Sequence, residues 1–251
     1  RDANPAGETN LAAEVAPDNW AQVLSGSHDD LDRYLKRGPV FEWIMWSFLR
    51  GIRALWSLAA GFRVQDAEHV PNKGAVIVCG NHASYLDPFI ICMALPKHGL
   101  KRVFFVGYSE YFEGVVGRFL ARLFRNIPID ANHNLQRAMQ AAAEGLRRGM
   151  VLVIFPEGAR SLDGTVKEFR RGAAILAQNL NVPITPVGIR GAYQAWPREG
   201  QIRRHALEVQ FGATLPPGDS PSEEALLAEL RGEVIRLVDE ARPDHNDASI
   251  N

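Results

Sequence analysis

The chain has 251 residues, 46% of them hydrophobic, and a net charge of -1. That apolar content excludes disorder over most of the length, and a chain of this size holds one large domain or two small ones. Near-neutrality argues against a nucleic-acid binder, which needs a surplus of Lys and Arg, and the two cysteines, Cys79 and Cys92, read as buried thiols with no disulfide or metal-ligand spacing.

Residues 1–38 read as a polar N-terminal segment, partly disordered or a linker from a longer polypeptide; Arg1 to Asn19 has no apolar signal-peptide core. Residues 39–62 then turn strongly apolar. Phe41, Ile44, Met45, Phe48, Leu49, Ile52, Leu55, Trp56 and Ala59 recur at helical spacing, with Glu42, Ser47, Arg50, Arg53 and Ser57 elsewhere, which predicts an amphipathic helix. Two arginines and a glutamate argue against a lone membrane-spanning helix. Trp43 and Trp46, near the arginines, suit a helix lying in a membrane interface; simple packing on the core is the alternative.

Short β-like runs then alternate with helical stretches. Strands are predicted at 62–65, 75–79, 102–106, 127–129, 151–155, 184–189 and 207–211, and helices at 88–95, 115–124, 135–148, 172–179 and 221–241. This alternation predicts a single α/β domain over 63–243, with a largely parallel mixed sheet flanked by helices, preceded by the amphipathic segment and followed by a tail at 244–251.

Three segments hold candidate chemistry. In Asn81-His82-Ala83-Ser84-Tyr85-Leu86-Asp87, a strand delivers a histidine and an aspartate to the start of a helix. Asp87 can fix one imidazole nitrogen and leave the other as a base; the alternative is a helix-capping Asp87 beside a turn histidine. In Phe155-Pro156-Glu157-Gly158-Ala159-Arg160-Ser161, a turn after a buried strand combines backbone N–H groups with a guanidinium, which suits an anion; Lys167, Arg170 and Arg171 add positive charge downstream. In Val182-Pro183-Ile184-Thr185-Pro186, two prolines in a strand-like run suggest an edge strand or a strand terminus.

Together, in this order, the three segments resemble the glycerolipid acyltransferase family, which includes lysophosphatidate and lysophospholipid acyltransferases; the resemblance runs from about Val64 to Phe211. It implies that His82, oriented by Asp87, deprotonates a lysophospholipid hydroxyl as that hydroxyl attacks the thioester of acyl-CoA or acyl-ACP, with no cofactor and no metal. It also implies a substrate-binding set of Asn81, Glu157, Gly158, Arg160, Ser161 and Arg170, with Glu157 and Arg160 orienting the polar head and Gly158 allowing close backbone approach. The expected partners are the acceptor, the acyl thioester, a peripheral membrane surface on the cytoplasmic face, and acyl carrier protein if it carries the donor.

One position departs from the family pattern. Where relatives commonly end a segment in Asp-Arg, this chain has Asp130-Ala131, leaving Arg125 or Arg170 to supply a second phosphate contact. That departure also resembles the acyltransferase domain of fused acyltransferase/acyl-ACP synthetase proteins, which act on larger head groups. Arg118, Arg122 and Arg125 are spaced to share one helix face toward head groups or an acidic carrier protein, or simply toward solvent. A non-catalytic lipid-binding domain is the alternative of another class. A hydrolase ranks lower, because no Gly-x-Ser-x-Gly elbow is present.

Overall fold

The computed structural model describes residues 20–26, 31–108, 114–115, 121, 124–129, 135–197 and 200–240. Its centre is a seven-stranded sheet of order β1-β7-β6-β2-β5-β3-β4. The strands are β1 (Phe62–Gln65), β2 (Val76–Gly80), β3 (Val103–Tyr108), β4 (Asn126–Ile129), β5 (Val151–Ile154), β6 (Ile184–Arg190) and β7 (Leu207–Phe211). Strands β6, β2, β5, β3 and β4 run parallel, whereas β7 is antiparallel to β6 and parallel to β1. All seven predicted strands are present, within about two residues at each end.

β2 is apolar throughout because both faces of the sheet are covered. Val76 and Val78 enter one core cluster and Ile77 and Cys79 the other, so alternate side chains feed opposite layers. One layer holds α3 (Pro39–Ala59), α4 (Asp87–Ala94) and α5 (Lys97–Arg102); the other holds α1 (Trp20–Ser25), α2 (Asp32–Leu35), α6 (Leu135–Arg147), α7 (Gly172–Leu180) and α9 (Glu223–Asp239). A short α8 (Ala192–Ala195) follows β6. Gly188 lets α9 lie directly on β6, since a Cβ there would come within 2.8 Å of the Leu237 backbone. Ser222 starts α9 by accepting the Ala225 N–H at 3.2 Å, with Glu223 and Glu224 in the first turn.

Three expectations change. Residues 20–25 and 31–35 are not linker: Trp20, Leu24, Leu31 and Leu35 are buried in the core cluster against α6 and α7. β6 is a central strand, not an edge, although it contains Pro186; Pro183 lies just before its first residue. Pro186 still accepts the Gly212 N–H through its carbonyl at 2.8 Å, and its missing N–H falls where the pairing shifts between the Val187–Phe211 pair and the isolated Ile184–Leu215 bridge.

The third change concerns α3, whose apolar residues split between two faces. Met45 and Leu49 are buried, with Phe41, Ile52 and Trp56 packed beside them, while Val40, Trp43, Ile44, Phe48, Leu55 and Leu58 are exposed. The polar residues turn inward: Glu42 pairs with Arg125 at 2.7 Å, and Arg50 and Arg53 donate to the carbonyls of Leu95 and Met93 at 3.5 and 3.4 Å. Those carbonyls end α4, where the helix dipole favours positive charge. Among the described residues, no helix is long and apolar enough to cross a membrane.

The expected helix at 115–124 lies almost wholly outside the described residues, as do Arg118, Arg122, Asp130, Ala131 and the tail at 244–251.

Candidate active site

The carboxyl ends of β2, β5 and β6 meet where the strand order switches direction, the usual position of a site in an open α/β sheet. Asn81, the first residue past β2, is buried and locks this corner: its Oδ1 accepts the Ile189 N–H at 2.8 Å and its Nδ2 donates to the Ile189 carbonyl at 3.0 Å. The side chain thus extends the β2–β6 pairing by one residue.

His82 follows. Its Nδ1 lies 2.8 Å from Asp87 Oδ2, which also accepts the N–H groups of Ala83 at 2.7 Å and Ser84 at 2.8 Å. Asp87 is fully buried in the first turn of α4, where the helix dipole favours a carboxylate, and its Oδ1 has no hydrogen-bond partner among the described residues. The imidazole stacks on Phe155 at a centroid distance of 4.3 Å and an interplanar angle of 17°, and its side chain keeps 20% exposure. With Nδ1 held by the carboxylate, Nε2 makes no hydrogen bond among the described residues, the state required of a general base.

The turn after β5 is sewn to this histidine. Glu157 is buried, and its two oxygens accept the backbone N–H groups of His82 at 2.8 Å and Lys167 at 3.1 Å. Burial pushes its carboxyl above the ordinary value, against the opposing pull of those N–H groups. The Ser161 N–H donates in return to the His82 carbonyl at 2.7 Å. Arg160, between them, lies over the Tyr85 ring with 3.3 Å from its guanidinium carbon to the ring centroid, and has no carboxylate partner among the described residues. Gly158 is exposed at a φ of 74°, and a Cβ there would come 2.6 Å from Arg170 Nε, so the bare glycine is what admits the second guanidinium.

The sequence model of the family described as "Acyltransferase" matches residues 61–190, just over half of the 251 residues. The chain belongs to the Acyltransferase family. A 1-acyl-sn-glycerol-3-phosphate acyltransferase of Pseudomonas aeruginosa is 32% identical over 215 residues, covering 78% of this chain and 80% of that protein. A protein of the same name from Limnanthes douglasii is 27% identical over 175 residues, covering 69% of this chain; the chain spans only 60% of that relative's length. Among solved structures, the 1-acyl-sn-glycerophosphate (LPA) acyltransferase PlsC of Thermotoga maritima shares the fold, with a TM-score of 0.68, 23% identity, and coverage of 81% of this chain and 83% of its own.

Within this acyltransferase-family site, the residues expected to bind substrate divide in two. Asn81, Glu157 and Ser161 have their polar atoms engaged internally; the buried Ser161 hydroxyl donates to Asp163 at 2.8 Å and accepts the Gly164 N–H at 3.0 Å. These three shape the loops. Gly158, Arg160 and Arg170 remain at the surface of the turn. Arg125 is no substitute for the missing arginine: it is buried, donating to the Leu35 carbonyl at 2.9 Å and pairing with Glu42.

Two contributors escaped the sequence reading. Phe155 backs the imidazole, and Trp196, from the end of α8, accepts the Ser84 hydroxyl at 2.7 Å and packs on Tyr85. Phe155 is the first residue of the second segment, so its place beside the site was legible; Trp196 carried no local signal.

Proposed function

We propose that the chain is a membrane-peripheral O-acyltransferase that moves a fatty acyl group from a thioester, acyl-CoA or acyl-ACP, to the free hydroxyl of a lysophospholipid of the lysophosphatidate type. The observation that carries this reading is the Asp87-held imidazole, joined by hydrogen bonds of its own backbone to the turn bearing Arg160; among the described residues His82 Nε2 has no hydrogen bond and Arg160 no carboxylate partner. The naming of the relatives as 1-acyl-sn-glycerol-3-phosphate acyltransferases supports the acceptor class.

In the proposed reaction His82 Nε2 takes the acceptor's hydroxyl proton as the oxygen bonds to the thioester carbonyl carbon. Asp87 stabilises the imidazolium that results. The tetrahedral adduct then collapses, the carbon–sulfur bond breaks, and the leaving thiolate recovers the proton from His82. Arg160, with Arg170 nearby in the turn, would hold the acceptor phosphate by charge-assisted hydrogen bonds. The product ester belongs in a bilayer, and the exposed apolar face of α3, with Trp43 63% and Leu58 85% accessible, supports shallow insertion into the cytoplasmic leaflet.

The test offers acyl-CoA and acyl-ACP to the protein with lysophosphatidate, lysophosphatidylethanolamine and lysophosphatidylglycerol, and reads the products by mass. Diacylated product from lysophosphatidate is expected. Preference for the larger head groups would reassign the acceptor, and binding to lipid without thiol release would make this a lipid-binding domain.

A further inference from the structure

We propose that Tyr85 is a positioning residue for the acceptor's phosphate: its ring holds the Arg160 guanidinium flat, with the N–H edges turned to the anion. The proposal rests on the acyl-transfer reading above and adds to it a side chain that neither reacts nor touches the phosphate.

The loop from His82 to Asp87 leaves Tyr85 little freedom. Ala83 and Ser84 are tied to Asp87 Oδ2 through their N–H groups, and the Ser84 hydroxyl donates to the Trp196 carbonyl at 2.7 Å while accepting the Leu86 N–H at 3.1 Å. With both neighbours fixed, the Tyr85 side chain is turned outward and stays 39% exposed. Trp196 packs against its ring at a centroid distance of 5.2 Å and a 38° tilt. The ring is thereby buttressed before any ligand arrives.

Arg160 is the other contact of that ring. A guanidinium carbon 3.3 Å from the centroid is in face contact. Face contact uses the π-system of the guanidinium and leaves its in-plane donors available, so stacking and phosphate binding do not compete. A lysine has no planar face to stack, and an unstacked arginine would lose rotamer freedom on binding that Tyr85 has already removed. The backbone agrees with this role: the Arg160 carbonyl accepts Lys167 Nζ at 3.0 Å, and the next N–H, of Ser161, is fixed to the His82 carbonyl.

One short loop therefore carries both the base and the support of the anion-binding group. His82 and Tyr85 are three residues apart on backbone that Asp87 holds from beneath, which sets the spacing between reacting hydroxyl and phosphate in the acceptor. Orientation of this kind favours an acceptor whose hydroxyl and phosphate sit on one glycerol.

The test measures KM and kcat for lysophosphatidate and for a neutral 1-acylglycerol at fixed acyl donor, in Tyr85→Leu, Tyr85→Phe, Arg160→Lys and Arg160→Ala. Tyr85→Leu is expected to raise the lysophosphatidate KM by about five-fold, in the range of a partly exposed cation–π contact, with kcat and the neutral-acceptor KM nearly unchanged. Tyr85→Phe, which keeps the ring, restores the wild-type KM. Arg160→Lys reproduces the Tyr85→Leu defect even if the Tyr85→Leu protein folds poorly, and in an Arg160→Ala background Tyr85→Leu adds nothing.

An equal loss of kcat on both acceptors, or a Tyr85→Leu effect that persists without Arg160, would overturn the proposal in favour of a role in shaping the His82 loop. If Arg160→Ala raises the lysophosphatidate KM and Tyr85→Leu does not, only the positioning role falls. If the unsubstituted protein acylates neither acceptor, the acyl-transfer reading itself has failed.

Discussion

Replacing Glu157 by glutamine separates a carboxylate that binds the acceptor from one that binds the protein. In the structure its two oxygens each accept one backbone N–H, from His82 and from Lys167. Glutamine keeps one carbonyl oxygen and turns an NH2 group toward the other donor. A buried N–H left unsatisfied costs about 1–3 kcal/mol, and the surviving bond loses its charge assistance, roughly 1 kcal/mol more. Burial raises the Glu157 carboxyl above its ordinary value, so removing the charge offsets part of that loss. The net is about 2 kcal/mol, or roughly 4–8 °C in Tm for a domain of this size. Because one of the two N–H groups that Glu157 holds belongs to His82, kcat should fall together with Tm, while the acceptor KM changes little. Thermal melts and steady-state kinetics on one preparation read all three. An unchanged Tm with a raised acceptor KM would return Glu157 to the head-group site.

Arg125→Leu should cost about 3–5 kcal/mol, because it strands the partly buried Glu42 carboxylate and the Leu35 carbonyl, and should leave the acceptor KM unchanged in whatever fraction remains folded; chemical denaturation with kinetics at low temperature checks this. Trp43→Glu combined with Leu55→Glu on the exposed side of α3 should weaken vesicle sedimentation at least ten-fold with Tm held within about 2 °C, since each apolar side chain withdrawn from a bilayer forfeits roughly 1.5–3 kcal/mol. Undiminished sedimentation would mean that α3 serves the core alone.

Strands were legible in the sequence because both layers of the sheet are covered. A doubly buried strand such as β2 has to be apolar at every position, and β7, pairing at the far side of β6, alternates buried Leu207, Val209 and Phe211 with the less buried Glu208 and Gln210. The His82–Asp87 pairing was legible for a similarly local reason: a four-residue loop over the start of α4 brings the two side chains together. Direction of facing was not legible. α3 is apolar on two sides, and periodicity cannot say which side meets the core, so Arg50 and Arg53 gave no sign that they turn toward the end of α4. The same limit applies to Asn81 and Glu157. Asn81 meets Ile189, 108 residues away, and Glu157 meets His82, 75 residues away, and no local pattern encodes those partners.

The proposed role of His82, oriented by Asp87, is that of the base in an acyl transfer. The most direct measurement is thiol release from acyl-CoA or acyl-ACP in the presence of lysophosphatidate, for the wild type, His82→Ala and Asp87→Asn, each shown by melting to be folded. His82→Ala should lose at least about a hundred-fold in kcat, and Asp87→Asn should lose much of it, since it keeps the loop's shape but removes the charge that stabilises the imidazolium. Undiminished turnover by a folded His82→Ala protein would contradict that role.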